Sequence, residues 1–159
     1  MFIKFSDITR CLASLALSIA GVVHAAPGAV RDFERGTWQQ MTQTFARPAV
    51  VVFTTTDCAY CPAVIEALAK DLKKGKSKAR LAVVVMDGAE HLESVKADPH
   101  YRKADALYAF DGQASALRYA VNPDWRGMTP YVAMLLRTGE TKFFVGSPPA
   151  REIEALLRR

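Results

Sequence analysis

The sequence predicts one α/β domain, because strand-like and helix-like patterns alternate along a chain of 159 residues. Residues 49–53 (AVVVF) and 81–86 (LAVVVM) are continuous apolar runs of strand length, typical of central strands covered on both faces. Between them, residues 64–72 carry apolar side chains at helical spacing. A strand, a helix and a strand in this order predict a parallel pair joined by a right-handed crossover.

A further helix is predicted ahead of the first of these strands. Trp38, Met41 and Phe45 recur at helical spacing among polar residues, and Pro48 is expected to stop the helix. The helix between the two strands is expected to end at Gly75, since glycine favours helix C-termini.

The pattern is looser over residues 87–113. It predicts a helix over 91–103, interrupted at Pro99, and then a short strand over 106–110 (ALYAF). A short helix is predicted to follow over 114–121 (ASALRYAV).

The C-terminal part is predicted to form a β-hairpin and a last helix. Residues 131–136 (YVAMLL) and 142–145 (KFFV) flank a short turn at Gly139, where a positive φ is expected. The last helix starts around Pro149. Its apolar side chains, which we expect to be buried, are Ile153, Leu156 and Leu157.

A secretory signal peptide is predicted at residues 1–25, which leaves residues 26–159 as the domain. Lys4 and Arg10 precede an apolar run of 12 residues, and cleavage is expected after Ala25. A retained membrane anchor is the alternative, but crossing a bilayer takes about 20 apolar residues. Cys11 precedes the apolar run and is expected to leave with the signal peptide. These features predict export, with the periplasm as the expected location.

The charge of the chain does not indicate a nucleic-acid partner. The net charge is +5, and about +4 without the signal peptide. Basic residues are scattered, apart from a cluster between residues 73 and 80. Such a cluster near a helix end is typical of a solvated turn that complements the helix dipole.

Cys58 and Cys61 are the only cysteines of the predicted mature domain. A C-x-x-C pair can be a redox pair, half of a metal site or two core cysteines. A purely structural disulfide is disfavoured, because a disulfide stabilises mainly by closing a long loop and this loop has four residues.

The position of the pair favours redox chemistry. We expect Cys58 at the end of the first buried strand and at the start of a helix, where free amides and the helix dipole stabilise a thiolate. Cys61 lies one helical turn further on, and Pro62 suits the first turn of a helix. Cys58 is therefore the predicted nucleophile, and Cys61 the thiol that resolves a mixed disulfide.

With this strand, motif and helix, the chain resembles the thioredoxin superfamily over nearly all of the predicted domain. A second landmark is the sequence GMTP ending at Pro130, followed by the hairpin and the last helix, which is similar to thioredoxin's cis-proline region. The resemblance implies a three-layer α/β fold in which helices flank a central mixed sheet. It also implies a cis Thr129–Pro130 bond that faces the cysteines, with Thr129 and Pro130 available to an incoming peptide.

Two departures from thioredoxin refine the resemblance. Cys61 and Pro130 are 69 positions apart, farther than in thioredoxin, and the excess falls over residues 87–113. A helix and a strand inserted between the βαβ half and the cis-proline half resemble the exported bacterial thioredoxin-like reductases, including those of cytochrome c maturation, and their peroxiredoxin relatives.

The second departure is chemical: Val52 and Asp57 stand where thioredoxin has a buried aspartate and a tryptophan. Without the buried acid, activation of the resolving thiol must use water or another group. A carboxylate at Asp57 opposes the Cys58 thiolate, which makes the dithiol a weaker oxidant and favours a reductase. Alternatively, Asp57 points into water and only starts the helix.

Two other functions stay open from the sequence. One is copper(I) binding or metal transfer by the two cysteines, with His91 or His100 completing the site. The other is a non-catalytic binding module, in which Tyr60, Trp125 and Tyr131 form an apolar peptide-binding surface beside the cis-proline. The same aromatic residues would serve the substrate groove of a redox enzyme, and core packing is the alternative for Tyr131.

The sequence thus favours an exported thiol–disulfide oxidoreductase, more as a reductase than as an oxidase. Its expected partners are protein thiols and disulfides, and an exported or membrane thiol donor of electrons. No cofactor and no resident metal are implied. The resemblance also disfavours an isomerase, because exported isomerases of the superfamily usually add a dimerisation domain and no residues are left here for one. A monomer is expected.

Overall fold

The computed structural model describes residues 29–74 and 78–158. The predicted signal peptide, its cleavage site, Cys11 and the predicted helix end at Gly75 lie outside these residues. The strands are β1 (Val30–Phe33), β2 (Ala49–Thr54), β3 (Arg80–Val85), β4 (Ala106–Phe110), β5 (Tyr131–Leu135) and β6 (Thr141–Val145). The α-helices are α1 (Thr37–Thr44), α2 (Cys61–Lys74), α3 (Leu92–Ala97), α4 (Ala114–Val121) and α5 (Ala150–Leu157).

The six strands form one mixed sheet in the order β1-β4-β3-β2-β5-β6. β1, β4, β3 and β2 are parallel to one another, whereas β5 pairs antiparallel with both β2 and β6. β2 lies inside the sheet, between β3 and β5. The predicted α/β fold with a central mixed sheet is therefore confirmed, and so is the β2–α2–β3 unit.

Helices cover both faces of the sheet, and each face has its own hydrophobic core. Successive side chains of a strand point to opposite faces, so the all-apolar sequence of β2 up to Phe53 supplies both cores at once. One face packs against Trp38, Met41, Leu117 and Val121 from α1 and α4. The other packs against Ile65, Leu68, Val95, Ile153 and Leu156 from α2, α3 and α5. Leu157, which the pattern predicts as buried, is only half-buried.

The insertion over residues 87–113 contains both a helix and a strand, as predicted. α3 lies between two 3-10 turns, Gly88–His91 and Tyr101–Lys103. β4 follows and pairs in parallel with β3 on one side and β1 on the other. The inserted strand therefore lies within the sheet and not at its edge.

The predicted helix over 91–103 is shorter than expected, and the break lies at Asp98. This residue leaves the helical conformation ahead of Pro99, as residues before proline tend to do. Its carboxylate accepts hydrogen bonds from the N–H groups of His100 and Tyr101, at 2.7 and 3.2 Å. These bonds start a new turn instead of continuing α3.

β1 is an edge strand that the sequence patterns do not predict. Its four residues, VRDF, include two charged side chains, and only Phe33 is fully buried. Val30 is paired with Leu107 of β4, far along the chain. Because this strand depends mainly on pairing with a distant part of the chain, its own sequence contains little pattern that would predict it.

The hairpin and the last helix form as predicted. β5 and β6 pair antiparallel, and Gly139 in the turn between them has a φ of 95°. Within residues 29–74 and 78–158, no helix combines the length and the apolar character needed to cross a membrane.

Candidate active site at the C-terminal end of β2

Cys58 and Cys61 lie just beyond the C-terminal end of β2 and are joined by a disulfide, with their Cα atoms 5.5 Å apart. The two cysteines differ in exposure. Cys58 is half-buried, whereas Cys61 is 0% exposed. Cys58 is therefore the member of the pair that a molecule in solution can approach.

The helix after the motif begins at Cys61, three residues later than predicted. The N–H of Cys58 donates to the carbonyl of Thr55 at 3.2 Å, which closes a separate turn ahead of the helix. The N–H of Cys61 donates to the Cys58 carbonyl, and the first bond of α-helical spacing runs from Val64 to Tyr60. The placement of Cys58 at the helix start is thus wrong in detail: it lies in the turn that leads into the helix.

Asp57 and Tyr60, the other two motif residues singled out from the sequence, both face solvent. Asp57 is exposed, and the side chain of Tyr60, between the two cysteines, is 80% exposed. The Tyr60 ring therefore offers an apolar surface beside Cys58.

The turn ahead of Cys58 is anchored by Asp87, which the sequence patterns do not single out. Its two carboxylate oxygens accept a shared hydrogen bond from the N–H of Thr56, at 2.9 and 3.1 Å, and a further bond from the Thr56 hydroxyl. Asp87 comes two residues after β3, the parallel neighbour of β2. Because the C-terminal ends of neighbouring parallel strands meet at one edge, this position was the available signal for Asp87.

Tyr101 approaches the same turn from the insertion. Its hydroxyl donates to the carbonyl of Thr55 at 3.4 Å. Burial raises the pKa of Tyr101, and the carboxylates of Asp98, Asp87 and Asp57 act in the same direction. The phenol is therefore protonated at neutral pH and available as a hydrogen-bond donor behind the motif.

At Val52, where the resemblance to thioredoxin implies a buried aspartate, the side chain is apolar. Val52 at that position is fully buried and packs with Ile65 in the core. Across residues 29–74 and 78–158, no Asp or Glu side chain is buried. Thr54, which is buried, uses its hydroxyl to donate to the Thr55 carbonyl at 3.1 Å.

Thr129 and Pro130 lie at the same end of the sheet as the cysteines, beyond the C-terminal end of β2. The peptide bond between them is cis. β5 begins directly after Pro130 and runs antiparallel to β2, with Tyr131 opposite Phe53. This register brings Pro130 to the end of β2, where the chain turns toward Cys58. Pro130 is buried and Thr129 is half-buried.

Trp125 and Tyr131 belong to the core, which confirms the core-packing alternative for Tyr131 and shows that the two do not form an exposed peptide-binding surface. They are 6% and 5% exposed, and their rings stack with centroids 4.4 Å apart. The Trp125 indole N–H donates to the carbonyl of Met128 at 2.9 Å. The amide of Asn122 donates to the Tyr131 hydroxyl at 2.7 Å. These two bonds hold the segment that leads to Thr129 against the core. Met128, in the same segment, is 56% exposed.

The two histidines considered as metal ligands do not join the cysteines in a ligand cluster. In the described part of the chain, no group of three or more His, Cys, Asp and Glu side chains is arranged to hold a metal ion. His91 is exposed at the end of a 3-10 turn. His100 is half-buried, and its Nδ1 atom is buried without a hydrogen-bond partner.

Comparison with known proteins gives matches in structure only. No protein-family model matches the chain, and no curated protein matches it in sequence. Among solved structures, the thioredoxin-related protein from Neisseria meningitidis serogroup B is 16% identical, with a TM-score of 0.53. That match covers 80% of this chain and 94% of the other.

Two further structures resemble the chain. MTB dsbF, in its mixed oxidized and reduced forms, is 15% identical with a TM-score of 0.51, covering 72% of this chain and 84% of the other. The thio-disulfide isomerase from Thermus thermophilus is 23% identical with a TM-score of 0.49, covering 72% and 78%. Two of these matches have TM-scores above 0.5, and the C-x-x-C pair lies at the end of β2. The chain therefore has the thioredoxin-like fold.

Proposed function

We propose that this protein is an exported thiol–disulfide oxidoreductase that reduces disulfides of protein substrates. The observation that carries the proposal is the unequal exposure of the bonded cysteines: Cys58 is accessible and Cys61 is fully buried. A pair of this kind suits a two-step exchange, in which one thiol meets the substrate and the other waits behind it.

The reaction begins with both cysteines reduced. The Cys58 thiolate attacks one sulfur of the client disulfide, the client S–S bond breaks, and the released client thiolate takes up a proton. The Cys61 thiolate then attacks the Cys58 sulfur of the mixed disulfide, which releases the second client thiol. The client gains two electrons and two protons, and the protein is left with the Cys58–Cys61 disulfide.

The client backbone would pair with Thr129 as an added strand. Within the described ranges, neither the N–H nor the carbonyl of Thr129 has a backbone hydrogen-bond partner. Pro130 borders the same position, and the exposed ring of Tyr60 would cover apolar side chains beside the client cysteine.

The direction of electron flow is proposed from the charges around Cys58. The carboxylate of Asp57 is adjacent in sequence and disfavours a thiolate, so it stabilises the disulfide relative to the dithiol and makes the pair more reducing. Electrons would come from an exported or membrane-bound dithiol, and the reaction needs no cofactor. Tyr101 or water would assist proton transfer in place of a buried carboxylate.

The central experiment is a trap for the mixed disulfide. With Cys61→Ser, the second step is blocked, so we expect client proteins to stay linked to Cys58 and to be released by reductant. The matched control, Cys58→Ser, should trap none. If Cys61→Ser accumulates no reductant-sensitive adduct in the exported fraction, the exchange mechanism is refuted.

The direction is tested by the reduction potential of the Cys58–Cys61 pair. We expect a value nearer that of thioredoxin, about −270 mV, than that of DsbA, about −120 mV. A value near the strong oxidant would overturn the reductase assignment and leave the exchange chemistry intact.

Export rests on the sequence of residues 1–25. We expect the protein isolated from the periplasm to begin at Ala26, which intact-mass measurement checks. A chain that keeps residues 1–25 and sediments with membranes would show that the segment is an anchor.

A further inference from the structure

A groove runs along the exposed face of α4, on the side of the molecule next to Trp125. It consists of two adjoining cavities of about 400 and 260 Å³ that share Ser115 and Tyr119. We call it the α4 groove and define it by Arg35, Ser115, Arg118, Tyr119, Trp125 and Arg126.

The α4 groove has an aromatic wall and a basic rim. The side chain of Tyr119 is 68% exposed, although α4 buries its opposite face against the sheet. Arg35 and Arg126 are exposed and Arg118 is half-buried. Across residues 29–74 and 78–158, none of these three arginines forms an ion pair with a carboxylate. The nearest acids along the chain are Asp124, two residues before Arg126, and Glu34, next to Arg35, so the three arginines outnumber them.

The groove adjoins the proposed substrate segment. The Arg118 side chain packs against the backbone of Gly127, with its Nε 3.3 Å from the position that a Cβ would occupy. Gly127 has a φ of 89°, so this close approach uses a residue without a side chain. Arg126 precedes Gly127, and Gly127 precedes Thr129 by two residues. Arg118 and Arg126 therefore lie close to the segment with which a client would pair.

We propose that the α4 groove binds an acidic stretch of the client polypeptide, next to the client cysteine that reacts with Cys58. This inference rests on the proposed function, because it names the class of client for the same site. Unpaired guanidinium groups on the rim would bind carboxylates, and Tyr119 would contact an apolar residue between them. Clients with Asp and Glu beside the cysteine would be selected over neutral ones.

The test uses two synthetic, labelled peptides that contain no thiol. In one, several Asp and Glu residues flank a serine in the position of the client cysteine, and in the other these acids are Asn and Gln. Binding to the oxidised protein is followed by fluorescence anisotropy at low and at high ionic strength. We expect the acidic peptide to bind more tightly than the neutral one, and added salt to reduce this difference.

Matched variants locate the effect. Arg118→Gln with Arg126→Gln should weaken binding of the acidic peptide about five-fold, because each exposed charge pair contributes modestly, and should leave the neutral peptide unchanged. Arg118→Lys with Arg126→Lys should keep most of the affinity. Lys73→Gln with Arg137→Gln removes the same number of charges, at the end of α2 and just beyond β5, and should have no effect.

The groove proposal is overturned if the acidic peptide does not bind at low salt or binds no better than the neutral one. It is also overturned if Lys73→Gln with Arg137→Gln weakens binding as much as the paired substitutions in the groove, since overall charge would then be sufficient. These outcomes are independent of disulfide exchange, because the peptides have no thiol. Failure of the Cys61→Ser trap would refute the proposed function separately.

Discussion

Asp87→Asn tests whether the link to Thr56 holds the turn ahead of the cysteines. The carboxylate accepts the shared N–H bond at 2.9 and 3.1 Å and the hydroxyl bond. A hydrogen bond to a charged group contributes about 1.5–3 kcal/mol, and one between neutral groups about 0.5–1.5 kcal/mol. The asparagine keeps one acceptor oxygen, so one bond is lost and the other loses its charge.

Solvent reduces the cost, because Thr56 is exposed and Asp87 is half-buried. We therefore expect Asp87→Asn to lower the free energy of unfolding by about 1–2 kcal/mol. For a domain of this size, the melting temperature should fall by about 3–8 °C. Urea unfolding of the oxidised protein, followed by circular dichroism, measures the change.

Two variants separate the bond from the charge. Asp111→Asn, an exposed aspartate after β4, removes the same charge and should change stability by less than about 0.5 kcal/mol. Thr56→Val removes the hydroxyl, so Asp87→Asn should cost less in its presence than in the parent protein. The reasoning is refuted if Asp87→Asn is as stable as Asp111→Asn, or if the two substitutions at Thr56 and Asp87 are simply additive.

Three other substitutions are expected to change the reduction potential or the stability of the protein. Asp57→Asn removes the carboxylate beside Cys58, the proposed nucleophile, and should raise the reduction potential by about 10–30 mV, measured against glutathione. An unchanged or lower value would contradict the proposed direction. Trp125→Phe loses the indole N–H bond to the Met128 carbonyl and should cost about 1–2 kcal/mol in urea unfolding, whereas unaltered stability would show that this bond contributes nothing. The hydrogen bond that Lys142 donates to Glu152, at 2.9 Å, raises the pKa of Lys142. The pair therefore stabilises the fold fully below the ordinary lysine pKa, about 10.4, and this stabilisation is lost as pH rises through the raised pKa. The stability difference between the parent and Lys142→Gln should shrink over that range in unfolding experiments, and a difference that stays constant would refute the assignment.

The parts of the fold that the sequence predicts are those with a strong local period. The valine runs of β2 and β3 and the apolar face of α2 each identify an element without knowledge of its neighbours. β1 and the break in α3 escape prediction for different reasons. β1 gains its stability from pairing with β4, and α3 ends because the Asp98 side chain bonds to the following backbone.

The same distinction holds for the site. The spacing of Cys58 and Cys61 is local, so the sequence alone identifies the pair, and the two are joined by a disulfide. Asp87 and Tyr101 reach the turn ahead of Cys58 from 31 and 46 positions away in the chain. Such contacts depend on how β3 and the insertion pack beside β2, and no short sequence pattern contains that information.

The burial of β2 has a consequence for how the redox pair is protected. β2 is paired along both edges and buried at every position. Amide protons of such a strand exchange with solvent only when the whole domain opens. The motif follows directly from this strand, and in the disulfide form Cys61 is fully buried whereas Cys58 is half-buried. In the proposed exchange, electrons would therefore pass through the Cys58 sulfur, and β2 would not need to open.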